Sequence, residues 1–131
     1  MALRIAKNVG LTDIVSENST NPIVTDHVAT GEQKAVQLFL FNDDPAKRYE
    51  EIVIDPVDLT DTDESAWAQL APDVAGAPGA YLAGSAPLSM ANISDANVGY
   101  AFWLRVTTLD VGDSMNKEDI LLEVRAKEYA V

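Results

Sequence analysis

Residues 100–109 read YAFWLRVTTL, and this stretch decides the fold. Side chains alternate with a period of two along an extended chain. Tyr100, Phe102, Leu104, Val106 and Thr108 therefore share one face, and Ala101, Trp103, Arg105 and Thr107 the other. Aromatic and β-branched residues dominate, as a pleated, half-buried surface favours. The spacing predicts a strand.

The same period recurs on both sides. In 35–42, AVQLFLFN, one face carries Val36, Leu38 and Leu40 and the other Gln37, Phe39 and Phe41. NDDPAKR (42–48) follows as a turn, since Asn, Asp and Pro punctuate strands. YEEIVIDPVDL (49–59) reads as a second strand with Ile52 and Ile54 in phase. Pro56 cannot donate to a ladder, which places it at that strand's end or on an edge. In 120–129, ILLEVRAKEY, the pattern sets Ile120, Leu122, Val124 and Ala126 inward and Leu121, Glu123, Arg125 and Lys127 outward. Strands this close together, separated by turn signals, predict a single antiparallel β-sandwich or barrel. No helical pattern is long enough for the crossover of a parallel sheet.

Other segments read less sharply. In TDTDESAWAQLAPD (60–73), Asp63 fits the cap of a short helical turn through Trp67 and Leu70, or the segment is a loop into a short strand around Trp67. Glycine and proline break up 74–99, leaving room for two short strands near Ala80–Leu82 and Leu88–Ile93. Residues 1–34 are rich in Ser, Thr, Asn and Asp and lack a long periodic pattern. They are expected to form an arm or first strands ahead of a sandwich spanning 35–131. Leu3, Ile5, Val9, Leu11, Ile23 and Val24 are the apolar contacts of that arm, ordered by the same domain or by a neighbouring subunit.

Composition bounds function. In 131 residues, 47% are hydrophobic, enough for one core. There is no cysteine, which excludes disulfides, thiolate metal sites and thiol nucleophiles. Nine cations against 21 anions give a net charge of −12, which repels nucleic acid and anionic membranes. No segment approaches the length of a membrane helix or signal peptide, so the chain is expected to be soluble and made in a host cytoplasm.

Reactive motifs do not emerge. The single histidine, His27, lies in the polar leading segment without a nucleophile motif beside it, and reads as a surface residue. The densest acidic run, Asp55, Asp58, Asp61, Asp63 and Glu64, lacks the spacing of a calcium loop and reads as solvated. No phosphate-binding glycine loop and no nucleophile elbow occurs. AGAPGAYLAGSAP (75–87) reads instead as a small-residue loop able to approach another backbone closely. The expectation is a non-enzyme without cofactor or metal. Trp67, Tyr81 and Trp103 join the arm residues as candidate contact positions. Phe39, Phe41 and Trp103 fall opposite the better-patterned stripes, and mark a patch needing a partner unless both faces are buried.

The order of HVATGEQKAVQLFLFNDDPAKRYEEIVIDPVD (27–58), WAQLAPD (67–73) and YAFWLRVTTLDVGDSMNKEDILLEVRAKEY (100–129) resembles small Ig-like virion proteins of tailed bacteriophages. Phe102, Trp103, Arg105 and Val106, then Lys117 to Glu128, carry the likeness, which spans about Ala29 to Tyr129. The polar loop keeps only Gly112 of the turn usual there. The resemblance implies an all-β, Ig-like antiparallel sandwich with an extended N-terminal arm, although a jelly roll gives a similar pattern. It further implies a capsid decoration (cement) protein on the virion exterior. The implied partners are the major capsid protein and further copies of the chain, a trimer being favoured. The alternative is a tail, collar or baseplate component, or an Ig-like carbohydrate-binding module of a host-recognition structure.

Overall fold

The structure is a computed structural model and describes residues 2–15, 25–27, 33–58, 67–107, 115–117 and 120–131. The described strands are β1 (Leu3–Ala6), β2 (Thr25–His27), β3 (Gln33–Asn42), β4 (Lys47–Asp58), β5 (Ala68–Val74), β6 (Ala77–Pro78), β7 (Leu88–Met90), β8 (Tyr100–Thr107), β9 (Met115–Lys117) and β10 (Ile120–Ala130). They form a five-stranded sheet β1-β3-β8-β5-β6, a three-stranded sheet β10-β4-β7 and a short ribbon β2-β9. Every pairing is antiparallel. The expected all-β antiparallel sandwich is what the chain forms.

The pairings are nested. β3 pairs with β8, β4 with β7, and β5 with β6, so the chain runs out and back as one long ribbon. Successive pairs of this ribbon alternate between the two sheets. A rolled ribbon of this kind occurs in jelly rolls. The order β1-β3-β8-β5 facing β10-β4 is equally that of the A-B-E-D and F-C strands of an immunoglobulin sandwich. Register pairs β8 with β3 and β5, and leaves β10 to β4.

The core lies between the sheets. Leu38 and Leu40 of β3 meet Phe102, Leu104 and Val106 of β8 and Ala68 and Leu70 of β5 on one side. Tyr49, Ile52 and Ile54 of β4, with Leu88, Ile93 and Leu122, close it on the other. Each such aliphatic or aromatic side chain taken out of water contributes about 1.5–3 kcal/mol before the entropy of ordering it is counted. The alternation read in β8 and β10 holds, and in β3 it holds as far as Leu40. Val124 and Ala126 pack on the core while Glu123, Arg125 and Lys127 are exposed. The side chains of Ile120 and Leu121 lie outside the described residues.

β4 departs from simple alternation. Tyr49 and Ile52 are both fully buried although three residues apart. The register against β10 slips between Arg125 and Lys127, so that Glu51 and Ile52 together oppose Ala126. This is a β-bulge, and Glu51 occupies the left-handed region with φ 52°. The extra residue resets the phase, and both halves of the strand then face the core. Pro56 pairs with Leu122 near the end of β4, beyond the last β7 pair at Ile54, as the missing N–H requires.

The β3–β4 turn is built by its Asx residues. Asn42 is fully buried; its Nδ2 donates to Lys47 O at 2.8 Å and its Oδ1 accepts from Asp44 N at 3.0 Å. Asp44 Oδ1 accepts in turn from Ala46 N. Side chains replace the backbone partners that the turn removes.

The leading segment is in part integral to the fold. β1 pairs with β3 from Leu3↔Asn42 to Ala6↔Phe39, and Leu3 and Ile5 sit in the core. Ile14 and Val15 fold back on the other edge of β1, through an Ala6↔Ile14 bridge and a Val15 N to Ile5 O bond. The helical turn considered for Trp67–Leu70 is not formed, since Leu70 lies in β5; Asp63 lies outside the described residues. The strand expected near Ala80–Leu82 is an irregular run bonded along β5, through Gly79 N to Pro72 O, Leu82 N to Leu70 O and Ser85 N to Ala68 O. Gly79 makes that approach possible, because a Cβ there would sit 3.1 Å from both Pro72 Cγ and Val74 Cγ2. The small-residue loop thus approaches a backbone of its own chain.

Candidate interaction surface

The outer face of the five-stranded sheet carries the most organised group of polar and aromatic side chains. Inner positions of β3, β5 and β8 are committed to the core, so period two sends Gln37 and Phe39, then Gln69, Ala71 and Asp73, then Ala101, Trp103, Arg105 and Thr107 to the opposite face. Register sets Gln37 against Trp103 on one side and Gln69 against Arg105 on the other.

Two bonded clusters result. Asp73 Oδ1 accepts from Trp103 Nε1 at 2.9 Å and from Gln37 Nε2 at 3.1 Å, and Asp73 Oδ2 accepts from Gly76 N at 3.2 Å. The last bond closes the two-residue β5–β6 hairpin, whose Ala75 and Gly76 both have positive φ, as such loops require. Donation by Trp103, supported by Gly76 and Gln37, lowers the Asp73 carboxyl below its ordinary 3.8. In the second cluster Arg105 donates through Nε and Nη2 to Gln69 Oε1, and its guanidinium lies 4.0 Å from the Tyr81 ring centroid. Gln69 Nε2 donates onward to Leu82 O. Burial raises the Tyr81 hydroxyl above its ordinary 10.0, and the Arg105 charge partly offsets this.

The other half of this face is covered by the chain itself. A Cβ on Gly99 would lie 3.1 Å from Leu11 Cδ2 and 3.5 Å from Phe39, so the Leu11 and Phe39 side chains both crowd Gly99. Phe41 is buried opposite Arg4. Much of the patch marked by Phe39, Phe41 and Trp103 is therefore satisfied within the molecule.

The candidate contact residues do not form one site. Leu3 and Ile5 are core residues, their side chains used inside the chain rather than offered outward. Val9 is 80% exposed at the tip of the 7–13 loop. Trp67 is half-buried against the core, whereas Tyr81 and Trp103 belong to the two bonded clusters. Ile23 and Val24 lie outside the described residues, as do Asp61, Asp63 and Glu64. His27 pairs with Met115 in the β2-β9 ribbon, and its side chain is not described. Asp55 is paired with Arg125 at 3.2 Å. Among the described residues, no group of three or more His, Asp or Glu is placed to hold a metal ion, and no helix is long and apolar enough to cross a membrane. A shallow, open depression lies beside Asp73 and Tyr100, floored by Pro72, Met90, Gly99 and Ala101.

Gln69 and Asp73 escaped the sequence reading. Their signal was the alternation of Gln69, Ala71 and Asp73 against Ala68 and Leu70, masked by the weak strand propensity of AQLAPDV. Fold and surface together define an all-β sandwich that presents bonded side chains and exposed loops. The chain matches no family model, no curated protein and no solved structure.

Proposed function

We propose that the chain is a contact-making structural protein of a tailed-phage particle, most simply a capsid decoration protein that binds the outer shell and stabilises it. One observation carries this reading. The sandwich holds its polar outer residues in mutual hydrogen bonds, while apolar side chains stand out on loops and ends, with Val9 at 80%, Val131 at 77% and Val74 at 59% exposure. We read these side chains as points of contact of a molecule that recognises by its surface. Jelly-roll sandwiches recur in viral capsid proteins, which adds fold-level analogy and no more. The net charge of −12 suits an exterior surface facing solvent rather than packaged nucleic acid. The proposed partners are the major capsid protein and further copies of the chain.

The sugar-binding alternative needs free aromatic faces. Arg105 occupies the Tyr81 ring and Asp73 holds the Trp103 indole, which counts against it. The deciding experiment is the copy number in purified particles, measured by mass spectrometry against the major shell protein. Hundreds of copies, lost together with shell stability when the gene is deleted, support decoration. A handful of copies that co-purify with detached tails would overturn it.

A further inference from the structure

The three-stranded sheet is lopsided. β4 is central, β7 covers only Ile52–Ile54 on one side, and the long β10 forms the other edge. Among the described residues β10 pairs with β4 alone. It has 11 residues and no proline, and the bulge that interrupts the β10–β4 ladder has its extra residue in β4, not in β10. Proteins blunt an open edge by shortness, proline, a bulge in the edge strand or repelling charge. Among the described residues, β10 has none of the first three.

The charge of β10 is self-complementary. β10 carries Glu123, Arg125, Lys127 and Glu128, two anions and two cations, inside a chain of net charge −12. Glu123 sits opposite Asp55 of β4, a like charge, while Arg125 pairs with Asp55 and Lys127 with Glu51. Glu123 therefore faces a like charge rather than a cation on the β4 side, and a strand added on the free side can bring one.

We propose that the free edge of β10 is a self-association edge, to which β10 of a second copy adds antiparallel across a two-fold axis, joining two three-stranded sheets into one. Directly opposed residues of an antiparallel pair share a face. Registers that keep the two inner faces on one side therefore set outward residues against outward ones. A two-fold axis centred on Val124 places Glu123 opposite Arg125 of the second copy, twice by symmetry. One centred on Arg125 places Glu123 opposite Lys127, again twice. The next register, centred on Ala126, sets Arg125 against Lys127 and repels. In both attractive registers the half-buried inner residues Val124 and Ala126 gain apolar neighbours: Val124 and Leu122 of the second copy in the first, Ala126 and Val124 in the second. The inference concerns this edge alone and stands whether or not the particle reading does.

The chain has no cysteine, so a single introduced thiol is diagnostic. At a two-fold centre each residue meets its own copy at a Cα separation of about 4.5–5.5 Å, within disulfide reach. Val124→Cys or Arg125→Cys should form a disulfide-linked dimer on mild oxidation, and the exposed control Ser94→Cys should not. In sedimentation, Glu123→Lys should weaken the dimer by about tenfold or more through doubled like-charge contacts. Adding Lys127→Glu or Arg125→Glu, according to the register, should restore it. A chain that sediments as a monomer up to its solubility limit overturns the proposal. So does a dimer that ignores Glu123→Lys and cross-links at neither β10 position.

Discussion

Tyr49 joins three parts of the sandwich through one oxygen. Its ring is fully buried in β4; its hydroxyl accepts from Ala2 N at 2.7 Å and donates to Glu128 Oε1 at 2.7 Å. Tyr49→Phe keeps the ring and its packing, so no cavity opens and only these two bonds are lost. A neutral bond contributes about 0.5–1.5 kcal/mol net, and one to a charged group about 1.5–3 kcal/mol. Glu128 is exposed and regains water, which puts its bond at the low end of that range. The expected loss is about 2 kcal/mol, or roughly 6–10 °C in Tm for a domain of this size. Thermal melts by circular dichroism measure it, and a double-mutant cycle with Glu128→Gln apportions it. The pH dependence adds a second readout. Burial raises the Tyr49 hydroxyl above 10.0, with Glu128 adding to the rise. The unfolded chain therefore loses this proton first, so the stability it contributes is complete below pH 10 and declines as pH climbs towards the folded value. Tyr49→Phe should flatten part of that alkaline decline. A Tm within about 2 °C of the parent together with an unchanged alkaline limb would refute the reasoning, leaving Tyr49 as packing alone.

Further outcomes follow from the same contacts. Leu3→Ala should cost about 2–4 kcal/mol in urea unfolding, because β1 belongs to the core. For the same reason, deleting residues 2–15 should abolish cooperative unfolding rather than leave a folded domain without its arm. Glu51→Val should destabilise by about 1 kcal/mol or more in the same assay, although valine is the better strand former, because the bulge holds a left-handed φ that a β-branched residue resists. Asp73→Ala, in a Trp67→Phe background, should shift Trp103 emission. Asp73 is held below 3.8, so its stabilising effect is present above pH 3.8 and fades as pH falls through the folded value. The variant should lose that part of the acid limb and no other.

Much of the sandwich was legible because its longest strands announce themselves. β8 and β10 alternate cleanly, β3 does so as far as Leu40, and their buried rows are those the period gives. Three things were hidden. The inward turn of Tyr49 needs an extra residue at Glu51, and a bulge carries no signal when its left-handed residue is neither Gly nor Asn. β5 contains Ala68, Ala71 and Pro72, poor strand formers that tertiary pairing with β8 overrides. The strand order is a matter of which distant segments meet, and alternation is blind to it. On the surface, Trp103 and Tyr81 could be flagged by type. Their partners Asp73 and Arg105 became visible only once register set β5 beside β8.

The nested ribbon also dictates how such a chain must find its shape. Its one tight local closure is the hairpin at Ala75 and Gly76; each later pair, β4 with β7 and then β3 with β8, spans a longer excursion of chain. Zippering from that tip outward lets every step close a short loop on structure already formed, whereas starting at β3 and β8 would close more than 50 residues at once. Pairings this distant put the domain among slow folders, on the order of milliseconds to seconds. Stiffening the tip should hasten folding more than any change of equal stability at the outer strands.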